Sequence, residues 1–255
     1  MINVVPLERD GVQLFQAIFA PALLREAARE WDEVMAVAAD IQDEIPLDRP
    51  VVRFWDHEQG GKSIVRPLDE FKTMSFFAFN PWFKSIVAEV YQTQEVRLLE
   101  TIIFSKRPGA KTLAFHQDAS YFPFDPNDQL TFWRPMDVVT EQSRALQYAI
   151  GSHKEGPKAA VDFHDGSRMD GDDRPTVWSG AKPYELQTMA CVPGDVVVHS
   201  PFVLHGSGQN TTKENLRRGL SLRYLAGPTK FAPTAGSGGT YIQQIRASPG
   251  ELVTG

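Results

Sequence analysis

A single cysteine, Cys191, stands in the 255-residue chain. No disulfide can form within it, which fits a reducing compartment, and the lone thiol is expected to be a buried apolar residue rather than a nucleophile. No stretch approaches the roughly 20 consecutive apolar residues that a membrane helix needs. The opening MINVVPLERDGVQLF has neither the basic start nor the long apolar run of a secretory signal. A cytoplasmic protein without a membrane partner is therefore expected. A basic stripe is also missing: 26 Lys and Arg are set against 32 Asp and Glu, net −6, and the acidic residues are scattered. Nucleic acid is thus not an expected partner. The one basic cluster, Lys106, Arg107 and Lys111, reads as a solvated turn between strands. There is no internal repeat and no low-complexity tract, and nothing in the sequence sets an oligomeric state.

What is present suits one domain that needs no disulfide staples. Hydrophobic residues make up 42% of the chain and charged residues 23%, ordinary values for a globular protein. The first part, 1–95, reads as mostly helical. From Pro21 to Asp40, the residues Leu23, Leu24, Ala27, Ala28, Trp31, Val34 and Met35 recur at three- and four-residue spacing, the stripe of an amphipathic helix. A second helix is predicted over Trp82–Gln92, with Pro81 at its entrance. Between them lie strand and loop, with Gly60-Gly61 as a turn. From about Val96 short runs rich in Val, Ile, Thr and aromatics alternate with Gly, Pro, Asn and Asp: RLLETIIFS, KTLAFHQD, QLTFWRPMDVV, ALQYAIG, YELQTMACV, DVVVHS and GLSLRYL. Many short strands separated by turns indicate a sandwich or barrel. Seven or eight strands over 96–225 fit a jelly roll. The Gly-, Asp- and Pro-rich run 155–184 is expected to be a lid inserted in that core, and 226–255 an irregular tail.

Of six histidines, His116 is the informative one. In FHQDASYFPF, His116 and Asp118 stand two apart on a predicted strand, so alternation puts both on one face and Gln117 on the other. An imidazole and a carboxylate on one face make two ligands for a divalent metal. A third is sought on a distant strand, and PGDVVVHSPFVLHGSGQN offers His199 and His205. His205 follows an apolar run and precedes Gly206-Ser207-Gly208, which let backbone approach closely. Two histidines and one carboxylate on one side of a metal form the facial triad of non-haem Fe(II) oxygenases, with positions open for a bidentate 2-oxo acid and O2. Arg217 and Arg218 head the strand RRGLSLRYL. Adjacent strand residues face opposite ways, so only one of them can enter the barrel, and a guanidinium is the best fork for a carboxylate.

HQD followed by YFPF, a tryptophan fifteen residues on, GSHK at 151–154, and PGD leading into HGSGQN and then an arginine occur in this order. The ordered set resembles the phytanoyl-CoA dioxygenase family of Fe(II)/2-oxoglutarate oxygenases. The resemblance implies a mainly β fold with flanking helices, built on a double-stranded β-helix (a cupin-like jelly roll). It implies Fe(II) held by His116, Asp118 and His205, with 2-oxoglutarate as co-substrate and O2 as oxidant. By the same resemblance Arg217 binds the far carboxylate of 2-oxoglutarate, Gln117 and Trp133 contact or flank it, and Ile102 packs against it. One extra residue between His205 and the arginine keeps Arg218 open as the anchor. His199 falls at a frequent family histidine that is not a ligand. Where the family often has Glu-Asn-Gly, this chain has EQSRA at 141–145.

Tyr121, Phe122 and Phe124 are expected at the substrate entrance, with core packing as the equal alternative. The implied activity is hydroxylation of an unactivated C–H of a small organic molecule, a natural-product intermediate for preference, with release of succinate and CO2. A small residue at 118 would leave room for halide, whereas Asp118 argues for hydroxylation. Desaturation, epoxidation or ring formation on the same iron is the alternative within enzymes. A non-catalytic jelly roll holding a metal is the alternative from another class, and would need a fourth protein ligand.

Overall fold

The computed structural model describes residues 2–41, 53–57, 61–65, 72–122, 124–163, 165–168, 184–233 and 250–252. In chain order they form α1 (Val5–Asp10), β1 (Val12–Phe15), α2 (Pro21–Ile41), β2 (Arg53–His57), β3 (Gly61–Val65), α3 (Lys72–Ala78), α4 (Pro81–Tyr91), β4 (Val96–Lys106) and β5 (Leu113–His116). They continue as β6 (Phe124–Asp125), β7 (Gln129–Pro135), β8 (Gln147–Ala149), β9 (Leu186–Thr188), β10 (Val196–His199), β11 (His205–Ser207), β12 (Arg217–Ala226) and β13 (Lys230–Phe231).

Two antiparallel sheets face each other. The larger has the order β1-β10-β7-β12-β4-β3-β2 and the smaller the order β5-β11-β8-β9, while β6 and β13 form a separate pair. Alternation along the large sheet separates two environments. Its outer face carries Ile103, Leu130, Phe132, Val196, Val198, Leu220, Leu222 and Tyr224, which bury against Leu24, Ala27 and Trp31 of α2, Phe77 of α3, and Phe83, Ile86 and Val87 of α4. Side chains of this size each gain about 1.5–3 kcal/mol on burial, so this helical layer is part of the core. The helix α4 starts where Asn80 accepts a hydrogen bond from the Trp82 backbone N–H at 3.0 Å, with Pro81 at its first position. Such a cap contributes about 1 kcal/mol.

The inner face closes on the small sheet through Trp133 and Val197 on one side and Tyr148, Met189 and Val203 on the other. The result is a jelly roll with helices on one outer face. The closest approach on the inner face is at Gly219, where a Cβ would come within 2.4 Å of the Trp133 indole. Gly219→Ala is therefore expected to displace Trp133 and cost about 1–3 kcal/mol, read as a lower Tm in thermal unfolding.

The amphipathic helix and the Pro81 helix stand within a residue or two of their expected bounds, although Leu23 is exposed rather than part of the buried stripe. The first 95 residues are not simply helical, because β1, β2 and β3 extend both edges of the large sheet. β2 and β3 fall in the stretch expected to be strand and loop, whereas β1, four residues long, carries too few alternations to stand out. YELQTMACV yields only the short β9, with Cys191 in an isolated bridge to Val139. Half of the expected lid, 169–183, and most of the tail, 234–249, lie outside the described residues, as does His164. No helix among the described residues is long and apolar enough to cross a membrane.

Candidate metal centre

His116 ends β5 and His205 begins β11, and the two residues are direct partners across that pair. Their rings lie 4.3 Å apart between centroids. Asp118 is not on a strand. It opens a 3-10 turn, Asp118–Ser120, after Gln117 continues the extended backbone at φ −109°, ψ 135°. The alternation thus runs one residue past the strand before the chain turns. His116, Asp118 and His205 are all buried, and one ligand atom from each lies within 4.8 Å of the others, separations that one ion bridges.

The imidazoles are set by their own backbone. His116 Nδ1 is 2.8 Å from the Ala114 carbonyl oxygen and His205 Nδ1 is 3.1 Å from that of Val203. A carbonyl only accepts, so each Nδ1 carries the proton and each Nε2 keeps its lone pair. Burial, and then the neighbouring His205, pulls His116 down to about 3. Burial, and then His199, pulls His205 down to about 4. Both rings are neutral at physiological pH, the form a metal requires.

Asp118 is held by one oxygen. Its Oδ2 accepts from Thr131 Oγ1 at 2.7 Å and from Arg223 at 2.8 Å, and lies 3.1 Å from His199 Nε2. Oδ1 lies 3.9 Å from His205 Nε2. Burial alone would raise this carboxyl, but Arg223 and the hydrogen bond from His199 hold it well below the ordinary carboxylate range. Burial also pulls His199 below the ordinary imidazole value, against the raising effect of its bond to Asp118. It donates from Nε2 to Asp118 and faces the Tyr148 hydroxyl through Nδ1 at 3.1 Å, so neither nitrogen is directed at the triad as a ligand.

Arg223 also pairs with Glu100 at 2.5 Å and lies 3.9 Å over the Phe122 ring. Removing one partner of a buried pair costs about 3–5 kcal/mol, whereas replacing both with apolar residues is often neutral. Arg223→Met should accordingly lower Tm sharply, and adding Glu100→Met should restore part of the loss, since Asp118 still lacks its cation. Metal affinity should stay reduced about 10–100-fold in both variants, because Asp118 has lost its clamp in each. Thermal unfolding and a metal titration on the same samples check this.

Arg217 and Arg218 part as strand geometry requires. Arg218 turns outward, bidentate to Asp137 at 2.7 and 2.9 Å and paired with Asp32 at 2.7 Å. Arg217 turns inward and is buried. It donates to the Arg144 carbonyl, its Nε has no partner, and its guanidinium lies 5.6 Å from the Trp133 ring centroid. Burial lowers it to about 10. No carboxylate bonds it among the described residues.

The remaining expected site residues divide. Ile102 faces inward opposite Ser221 on β12. Gln117 points away, with Nε2 donating to the Gly156 and Phe202 carbonyls at 3.1 and 2.6 Å and Oε1 accepting from the Lys158 N–H at 2.7 Å, so its amide is spent on tying loops. Tyr121 flanks His116 at 5.8 Å and stacks on Phe163 at 4.5 Å. Phe122 backs Arg223, and Phe124 pairs with Phe231 across β6 and β13, within the apolar cluster that also holds Tyr121 and Phe122.

Arg223, Thr131, Glu100 and Phe163 stand at the site without having been expected there from the sequence. Counting in twos from Arg217 reaches Arg223, and from Trp133 reaches Thr131, so those two were within reach. The Lys106 reading is corrected. Arg107 and Lys111 are exposed, but Lys106 closes β4 in the inward phase, is 7% exposed, and donates to Ser207 Oγ at 2.9 Å and the Gly208 carbonyl at 2.6 Å. Phe163 stands 4.8 Å from His116, brought there by the Ala114 N–H donating to its carbonyl.

A family model for phytanoyl-CoA dioxygenase (PhyH) matches residues 7–219. The chain belongs to this family. The peroxisomal phytanoyl-CoA dioxygenase of Rattus norvegicus is 26% identical over 238 residues, 89% of this chain and 65% of that protein. The chain spans about half to two thirds of the length of this and the human relative. Among solved structures, the non-haem alpha-ketoglutarate-dependent carbocyclase SnoK from nogalamycin biosynthesis has a TM-score of 0.76 at 17% identity, covering 99% of this chain and 92% of that one. The epimerase SnoN from the same biosynthesis has a TM-score of 0.72 at 19% identity, covering 99% and 94%.

Proposed function

We propose that this protein is an Fe(II)- and 2-oxoglutarate-dependent dioxygenase that hydroxylates an unactivated C–H of a small organic substrate. The observation that carries the reading is the convergence of two neutral imidazole Nε2 atoms and one clamped carboxylate, together with a buried arginine that no carboxylate among the described residues neutralises. The donor set fits ferrous iron: two borderline nitrogens and one hard oxygen, with Nδ1–H of each histidine and Oδ2 of the aspartate already engaged elsewhere. The unpartnered Arg217 Nε fits an anion. The SnoN structure described as containing Fe3+ and alpha ketoglutarate supports the same pairing on this fold.

When bound, ferrous iron with its oxo-acid co-substrate supplies the oxidation, in which O2 converts 2-oxoglutarate to succinate and CO2 and leaves one oxygen for the substrate. The chain supplies position and a dry site. His116 and His205 present lone pairs fixed by the Ala114 and Val203 carbonyls. Arg223, Thr131 and His199 turn Asp118 so that Oδ1 faces the histidines. Arg217 takes the far carboxylate, with Ile102 and Trp133 as apolar walls. Tyr121 and Phe163 wall the side next to His116. Phe122 and Phe124 serve that wall from behind and are not assigned substrate contact.

Among the described residues the metal-ligating group has three members. The described residues add no fourth protein ligand of the kind a closed structural site needs, and a set of three suits an open, catalytic site. The ring-bearing wall of Tyr121 and Phe163 favours an apolar or cyclic natural-product intermediate, and the nogalamycin-pathway neighbours point the same way. Incubation with Fe(II), O2 and 2-oxoglutarate should give succinate at a rate raised by the right member of a small-molecule panel. Absence of succinate under every condition, with iron and 2-oxoglutarate demonstrably bound, would overturn the reading.

A further inference from the structure

We propose that Lys106 is a second cation of the pocket that takes the far carboxylate of 2-oxoglutarate, a binding residue alongside Arg217; this rests on the co-substrate reading above. Lys106 is the direct partner of Arg217 across β4 and β12. Both side chains are buried, at 7% and 6% exposure, and both face between the sheets. The ammonium has three donors. Two are used, on Ser207 Oγ and the Gly208 carbonyl, and both acceptors are neutral. The third is available to an anion.

The charges around Lys106 are of its own sign. Burial, then Arg217, then Arg144, pulls it down to about 7. Buried cations are normally paired with acids. Here two sit side by side, and no carboxylate bonds either among the described residues. An anion entering beside Arg217 would relieve both. The same lysine joins the end of β4 to Ser207, two residues beyond His205, so the anion pocket and the strand carrying a triad histidine share one side chain. A lysine that merely laced β4 to β11 would leave that laced strand indifferent to what the co-substrate carries at its far end.

The test separates these roles by ligand. The protein is loaded anaerobically with Mn(II) and titrated by calorimetry with 2-oxoglutarate and with 2-oxopentanoate, which keeps the chelating end and lacks the far carboxylate. Lys106→Met is expected to weaken 2-oxoglutarate about tenfold or more and to leave 2-oxopentanoate within about twofold. Lys106→Arg, which keeps the charge, should recover most of the loss. Lys106→Gln, which keeps a donor for Ser207, should behave like Lys106→Met and serves if the methionine variant does not fold. Unchanged 2-oxoglutarate affinity in Lys106→Met or Lys106→Gln, or equal losses for both ligands, overturns the proposal. Arg217→Ala is the control: if it weakens 2-oxoglutarate while the Lys106 variants do not, this inference alone fails. If neither Arg217 nor Lys106 matters, the co-substrate reading fails with it.

Discussion

Arg217→Ala is expected to weaken 2-oxoglutarate binding by about 30- to 4,000-fold while leaving metal affinity within about twofold. Truncating one side of a buried charge-assisted pair costs about 2–5 kcal/mol, and each 1.4 kcal/mol is about tenfold in affinity. The size follows from where the guanidinium lies. It is buried, its Nε is unpartnered, and its Nη1 donates to the Arg144 carbonyl. Among the described residues no acid competes with an incoming carboxylate. Metal affinity is spared because no contact joins Arg217 to His116, Asp118 or His205 among the described residues. A second consequence separates binding from folding. Burial pulls Arg217 down to about 10, so the unliganded protein carries an uncompensated cation. Arg217→Met should hold or raise Tm even as it loses the co-substrate, the stability–activity trade expected of a pre-formed binding site. Calorimetric titration with 2-oxoglutarate and thermal unfolding of the same variants measure both halves.

His205→Ala is expected to lower Fe(II) affinity by more than about 100-fold, since loss of a supporting contact alone costs about 10–100-fold. It should also abolish succinate formation. Asp118→Ala should be as damaging to the metal and worse for the fold. It removes the acceptor of Thr131, Arg223 and His199 at once, leaving three buried donors short of a partner. His199→Phe separates support from ligation. It should weaken metal about 10–100-fold without abolishing binding, because His199 reaches the triad only through Asp118 Oδ2. Equal losses in His199→Phe and His205→Ala would show that the wrong histidine has been chosen.

The two histidines and the aspartate were legible because ligand chemistry demands particular residue types, and period-2 geometry puts positions 116 and 118 on one side even where the strand itself has ended. The split between Arg217 and Arg218 was legible as a choice of one, and not as which one. The sequence contains no sign that Asp137 and Asp32 wait on the outer face for Arg218. Register is the missing information. Lys106 gains its meaning from pairing with Arg217 across β4 and β12 and from the turn after β11, contacts about a hundred residues apart in the chain. Read locally, beside Arg107 and Pro108-Gly109, it was one more surface lysine. The aromatic run at 121–124 shows the same limit. Tyr121, Phe122 and Phe124 are equally apolar on paper, but the 3-10 turn at Asp118–Ser120 sends Tyr121 to His116, Phe122 under Arg223 and Phe124 to Phe231.

The proposed chemistry needs one metal bound at one place. Crystals grown anaerobically with Fe(II) and 2-oxoglutarate, with diffraction recorded on both sides of the iron absorption edge, test it directly. The expected result is a single anomalous peak in contact with His116 Nε2, Asp118 Oδ1 and His205 Nε2, with the far carboxylate of 2-oxoglutarate on Arg217. A peak that omits any of those three atoms, or a co-substrate whose far end lies away from Arg217, would contradict it.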